Sequence, residues 1–207
     1  MLATYFHAPA SIRTTGAATP ETSYYTPLEN LLNAAGAQLK PTVRAVFQLN
    51  DLGAGRPDFG LFAANQFEWP TDGSPIERRP GALPERGAGE VKGPAEPLDE
   101  LLAGKHVKQV SKYWERYRQV LVTNLRQFAF ITEDEHGKPL VLDTFELAGT
   151  EAGFWALCHA PGLPAPTLVA GFTALLIRVR QRRALCRCGW KIPNLSYCNW
   201  SSSWSRN

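Results

Sequence analysis

No stretch of this sequence approaches the about 18 consecutive apolar residues that a membrane-spanning helix needs. The best run, Leu168 to Ile177, is interrupted by Gly171 and Thr173. The N-terminus lacks a basic segment followed by an apolar core, so no secretion signal is read there and a cytoplasmic location is the default expectation, with no membrane partner. There is no Gly-rich phosphate loop, no Ser-x-Gly nucleophile elbow and no internal repeat, which argues against the enzyme classes those motifs mark. His7, His106, His136 and His159 have no metal-ligand spacing between them. Cysteine is scarce, and three of the four, Cys186, Cys188 and Cys198, fall near the end of the chain. Acidic residues are missing altogether from 174–207.

What is present fits one globular domain. The 207 residues are 44% hydrophobic and 20% charged, enough for one sizeable core and hardly for two. The net charge of +3 hides an uneven distribution. Residues 174–207 hold seven of the 22 Lys and Arg residues, and the rest of the chain carries 15 basic against 19 acidic side chains. Global charge therefore gives no support for nucleic-acid binding; a local patch has to supply it.

Residues 1–22 show no clear period and are expected to be an irregular lead-in. Thr26-Pro27-Leu28-Glu29 carries the marks of a helix start: Thr as cap, Pro at the first position and Glu at the third. Leu28, Leu31, Leu32 and Ala35 give that helix an apolar face, with Gly36 as its terminator. Val43 to Leu49 alternates as a strand, with Val43, Ala45, Phe47 and Leu49 on one face. Asp58 to Phe62 reads as a second strand and Glu90 to Lys92 as a third, separated by a Pro-, Gly- and charge-rich loop over 65–88. From Pro97 the period is helical: Leu98, Leu101 and Leu102 mark a short helix ending near Gly104, and a longer one from about Lys105 to Arg118 follows. Val120 to Thr123 is apolar enough for a strand buried on both faces. Gln127 to Ile131 and Leu140 to Leu147 form a hairpin around the polar 133–139 loop. A helical segment near 150–158 and a last helix from Thr167 to about Arg183 complete the domain. The fold class is α/β, a mixed central sheet flanked by helices, over residues 23–183.

Chemistry concentrates in Arg56-Pro57-Asp58 and Glu90-Val91-Lys92. In a strand alternate side chains share a face, so Glu90 and Lys92 point one way while Val91 faces the core. Asp58 and Glu90 supply oxygen ligands suited to Mg²⁺ or Mn²⁺, and the Val91 carbonyl adds another. Lys92 is placed to orient a water or to stabilise charge on a phosphate. The long helix carries a second feature. Val107, Val110, Trp114 and Tyr117 gather on one side; Lys105, Lys108, Gln109, Lys112 and Arg116 gather opposite, with Tyr113 at the margin. That basic side reads either as a solvated face or as a contact for phosphates.

Pro57-Asp58 followed by Glu90-Val91-Lys92 resembles the PD-(D/E)XK nuclease superfamily. With the flanking 26–32 and 109–113 segments, residues 20–180 resemble the N-terminal endonuclease region of single-chain restriction–modification enzymes that also methylate adenine. The resemblance implies a restriction-endonuclease-like fold, a Mg²⁺- or Mn²⁺-dependent DNA endonuclease and Asp58, Glu90 and Lys92 as catalytic residues. It adds Glu29, on the first helix, as a further metal residue, although a capping box also explains that glutamate. Gln109-x-x-x-Tyr113 resembles the Q-x-x-x-Y element that follows the catalytic strand in some of these nucleases, which implies DNA contact by Gln109, Lys105, Lys108, Lys112, Tyr113 and Arg116. The alternative function is a non-catalytic DNA-binding or scaffolding module on the same fold.

The last stretch stands apart. Residues 184–207 have Trp190, Trp200, Trp204 and a run of serines, but no acidic residue and no period of 2 or 3.6. A metal knuckle on Cys186, Cys188 and Cys198 lacks a fourth ligand. A disordered tail is one reading. The other is an aberrant one, arising where translation leaves its frame near Arg183 and truncates the chain before the methyltransferase and target-recognition domains.

Overall fold

The computed structural model describes residues 1–67, 82–160, 164 and 166–185, with 176–185 as backbone. The tail from 186, its cysteines and tryptophans, and most of the expected 65–88 loop lie outside the described residues.

Six strands form a single sheet in sequence order: β1 (Val43–Phe47), β2 (Phe59–Ala63), β3 (Ala88–Val91), β4 (Val120–Thr123), β5 (Gln127–Glu133) and β6 (Pro139–Glu146). Every neighbouring pair is antiparallel except β3 and β4, which run parallel. That parallel pair needs a crossover, and α3 (Leu98–Leu102) and α4 (Val107–Tyr117) provide it. The remaining helices are α1 (Leu2–Thr14), α2 (Tyr25–Gly36), α5 (Glu151–His159) and α6 (Pro166–Leu185). The protein is thus mixed α/β, a six-stranded mixed sheet with helices on both faces.

Strand alternation sorts the core into two halves. Phe59, Leu61, Val91, Leu121, Phe128 and Phe130 point into a core shared with α1, α2, α5 and α6. Ala88, Val120, Val122, Ala129 and Ile131 point the other way, under Leu101, Val110, Tyr113, Trp114 and Tyr117 of α3 and α4. β4 is buried at every position, as its apolar run requires.

Residues 1–22 are not an irregular lead-in. Leu2, Tyr5, Phe6, Pro9 and Ala10 recur at helical spacing and are the buried face of α1. Pro9 and the weakly apolar residues between them mask that period in the sequence. A 3-10 turn at Thr22–Tyr24 then runs straight into α2, so Thr26 lies inside the helix rather than capping it. Gly36 is the last residue of α2 but not a left-handed stop, since the cap residue Ala37 stays right-handed; it is glycine because a Cβ there would stand 2.1 Å from the Val43 carbonyl oxygen, where β1 begins. Lys92 lies one residue past β3, its N–H still donating to Thr123 O at 2.8 Å.

Candidate metal centre

β2 and β3 pair at Phe59–Gly89 and Gly60–Ala88, with Leu61 bonded on to Gly87 and Arg86, and they part on the other side, beyond Asp58. Asp58 stands at the point of separation, its N–H donating to Gly89 O at 3.1 Å. Its carboxylate spans the gap: Oδ2 accepts from Val91 N–H at 2.7 Å and Oδ1 from the Tyr25 hydroxyl at 2.6 Å. Stacked rings set the position of Tyr25. Phe59 stacks on Phe47 at 4.9 Å between centroids, and Phe47 meets Tyr25 at 5.3 Å. Gly89 must be glycine because the Phe59 ring occupies the space of a side chain, 2.0 Å from where a Cβ would sit.

Glu90 is 1% exposed on the α4 side of the sheet. Its Oε1 accepts from Lys92 Nζ at 2.6 Å and its Oε2 from Gln109 Nε2 at 3.2 Å. The same Lys92 ammonium donates to Val91 O at 2.9 Å and lies 3.4 Å from Glu21 Oε2. Glu21 Oε1 in turn lies 3.2 Å from the Tyr25 hydroxyl. The cluster is therefore Asp58, Glu90, Lys92, Glu21, Tyr25 and Gln109, with the Glu90 and Glu21 carboxylates on the Lys92 ammonium and Asp58 tied in through Val91 and Tyr25.

Burial, and then the charge of Asp58, pushes the Glu90 carboxyl up to about 7, against the pull of Lys92. For Lys92 burial acts downward most strongly of any one cause, but the carboxylates of Glu90, Glu21 and Asp58 together outweigh it and the ammonium is held above its ordinary value. Tyr25 is raised far above a free phenol by burial and by its bond to Asp58. Burial also lifts Tyr113 to about 12.

Asp58, Glu90, Val91 and Lys92 come together as the sequence indicated. Glu29 lies one turn beyond Tyr25, in a groove with Asn33, Arg44 and Phe67, and the acid that reaches Lys92 is Glu21. Gly93 explains how: its missing side chain lets Pro20 O approach, 2.6 Å from where a Cβ would stand, which docks the 20–21 segment beside β3. The i, i+4 spacing of Glu21 and Tyr25 was the available signal for both missed residues.

The six candidate DNA contacts divide. Lys108 and Lys112 are exposed and form no ion pair among the described residues. Lys105 pairs with Glu96 at 2.9 Å, and Arg116 Nε donates to Leu52 O at 2.9 Å. Tyr113 is buried rather than marginal, since its ring packs under the sheet and its hydroxyl donates to Arg56 O at 2.9 Å. Gln109 Nε2 donates to that same hydroxyl at 3.0 Å as well as to Glu90, so it faces the cluster.

Among the described residues no three His, Cys, Asp or Glu side chains are close enough to hold a metal. The oxygen set that fits one is smaller: two carboxylates and a backbone carbonyl, which suits Mg²⁺ because that ion keeps several of its waters. The fit is visible in Lys92, whose positive nitrogen already draws Glu90 Oε1 and Val91 O to within 3 Å of a single cation. No family model, curated protein or solved structure matches the chain. No helix among the described residues is long and apolar enough to cross a membrane.

Proposed function

We propose that this domain is a divalent-metal-dependent DNA endonuclease with a restriction-endonuclease-like fold, hydrolysing phosphodiester bonds in the cytoplasm. The observation that carries the reading is the convergence of Glu90 Oε1 and Val91 O on one cation, with Asp58 beside them where two strands part. Mg²⁺ or Mn²⁺ bound there would polarise a phosphoryl oxygen and lower the pKa of a bound water. Asp58, Glu90 and the Val91 carbonyl would hold the ion. Lys92 orients the attacking water and offsets charge on the phosphate. Gln109 keeps Glu90 turned toward the site, while Lys108 and Lys112 hold the DNA backbone without reading its sequence. Base recognition and adenine methylation fall to further domains of a restriction–modification enzyme.

One observation favours the second reading, a DNA-binding module that does not cut: both oxygens of Asp58 and of Glu90 already have protein donors. A plasmid-nicking assay in Mg²⁺, Mn²⁺ or EDTA, run beside Lys92→Ala, separates the two. Metal-dependent nicking that Lys92→Ala abolishes supports the endonuclease. Tight DNA binding without nicking in either metal supports the module.

A further inference from the structure

Lys92 Nζ occupies the place where two oxygens of the candidate centre, Glu90 Oε1 and Val91 O, converge, so an incoming divalent cation competes with it for both. A buried ammonium pushed off its partners would be costly unless another carboxylate received it. Glu21 is that carboxylate. Its Oε2 is already within ion-pair range, and at 31% side-chain exposure against 16% it is more accessible than Lys92 itself. It also has acceptor capacity to spare. The single phenolic proton of Tyr25 serves one carboxylate at a time, and the shorter contact, 2.6 against 3.2 Å, is to Asp58. The charge count agrees: with all three carboxylates ionised, Asp58, Glu90 and Glu21 against Lys92 leave two negative charges, which one divalent cation neutralises.

We propose that Glu21 is a second anchor for the Lys92 ammonium, which leaves Glu90 Oε1 and Val91 O for Glu21 when a divalent cation takes those oxygens. Glu21 is then a positioning residue. It keeps Lys92 charged, ordered and beside the metal, at the distance from which it can address a phosphate. The inference rests on the metal-centre reading above and assigns that centre a built-in counter-ion exchange.

Calorimetric titration of Mn²⁺ into the wild-type protein, Glu21→Gln, Lys92→Ala and the double variant tests it, with circular dichroism confirming that each is folded. Lys92→Ala removes the competitor and is expected to bind Mn²⁺ more tightly than wild type while failing to cut DNA. Glu21→Gln is expected to weaken Mn²⁺ binding about tenfold more when Lys92 is present than when it is alanine. Glu21→Asp, which keeps the charge and shortens the reach, is expected to fall between wild type and Glu21→Gln. Equal effects of Glu21→Gln in the two backgrounds would mean that Glu21 acts on the metal by its charge alone, and would overturn the exchange while leaving the metal centre standing. A wild-type protein that binds no Mn²⁺ overturns both.

Discussion

The end of β3 and the outer face of α4 both carry chemistry-bearing side chains, and they differ in how those side chains are held. At the end of β3, each carboxylate oxygen of Asp58 and Glu90 has a donor, and the Lys92 ammonium has three oxygen neighbours. On α4, Lys108 and Lys112 stand in solvent. A site for chemistry has to be preorganised, because its groups act on charge at fixed positions. A surface that tracks a phosphate backbone gains from mobile, solvated charge and from the release of counterions. Within α4 itself the contrast falls between neighbours: Tyr113 is buried and Gln109, though exposed, has its amide bonded to Glu90 and Tyr113, while Lys108 and Lys112 are left to the outside.

Asp58→Ala should break the ordered half most severely. Cleavage is expected to fall by at least about a thousandfold in a single-turnover assay, on the scale of removing one electrostatic element of a catalytic site. The variant should also be less stable by about 1–3 kcal/mol, because the Tyr25 hydroxyl and Val91 N–H are left without their acceptor. From sequence alone the opposite sign is expected, since deleting one of two neighbouring carboxylates relieves repulsion. The hydrogen bonds reverse it.

Gly89→Ala tests whether the backbone beside Glu90 is as tightly fitted as the closeness of the Phe59 ring indicates. A methyl group placed 2.0 Å from the ring cannot be accommodated without moving the Phe47–Phe59 stack. Chemical denaturation should show a destabilisation of about 3 kcal/mol. A neutral result would mean that β2 and β3 can separate freely, and that the ordered half is less rigid than its hydrogen bonds imply.

Burial and Asp58 give Glu90 its smaller, pH-dependent signature. Its carboxyl is raised to about 7 in the folded protein, above its ordinary value, so the fold binds that proton more tightly than the unfolded chain does. The corresponding stability is complete below the unfolded pKa of about 4.3 and is lost as pH rises through about 7. Lys92 is raised as well, but its contribution is constant over that window and disappears only at alkaline pH. Without metal, wild-type stability should therefore decline between about pH 5 and 7.5, by an amount on the order of 2 kcal/mol. Glu90→Gln should flatten that slope in thermal melts at matched ionic strength.

The exposed half should respond to salt rather than to pH. Lys108→Ala with Lys112→Ala is expected to weaken duplex binding and to reduce the log–log salt slope by about 0.9 for each phosphate that is no longer neutralised. Arg116→Ala, whose guanidinium is committed to Leu52 O, should change that slope less than either lysine does. If all three act equally, the division within α4 is wrong.

Legibility in the sequence followed the same division. Asp58, Glu90, Val91 and Lys92 could be placed because strand alternation is a local rule, and all six strands fell close to where apolar runs and turn residues indicated. The two buried sides of β4 were readable from Val120-Leu121-Val122-Thr123 alone. Tyr113 was harder, because helical phase puts it at the edge of the basic side and only the packing of α4 on β3 and β4 buries it. α1 was missed because Pro9 interrupts an otherwise helical pattern of Leu2, Tyr5, Phe6 and Ala10. Glu21 and Tyr25 escaped for a different reason. Their part in the cluster depends on the close approach of Pro20 to Gly93 and on the contact of Tyr25 with Phe47, both of which join separate elements of the chain.

The central claim is that Asp58, Glu90 and the Val91 carbonyl form one cation site, with the Lys92 ammonium now seated on Glu90 and Val91. A crystal soaked in Mn²⁺ and measured for anomalous scattering tests it most directly. The expected map has a single strong peak within about 2.2 Å of oxygens from all three residues, with Lys92 withdrawn from Glu90 Oε1. No peak at the parting of β2 and β3, with Lys92 still seated on Glu90 and Val91, would contradict the account.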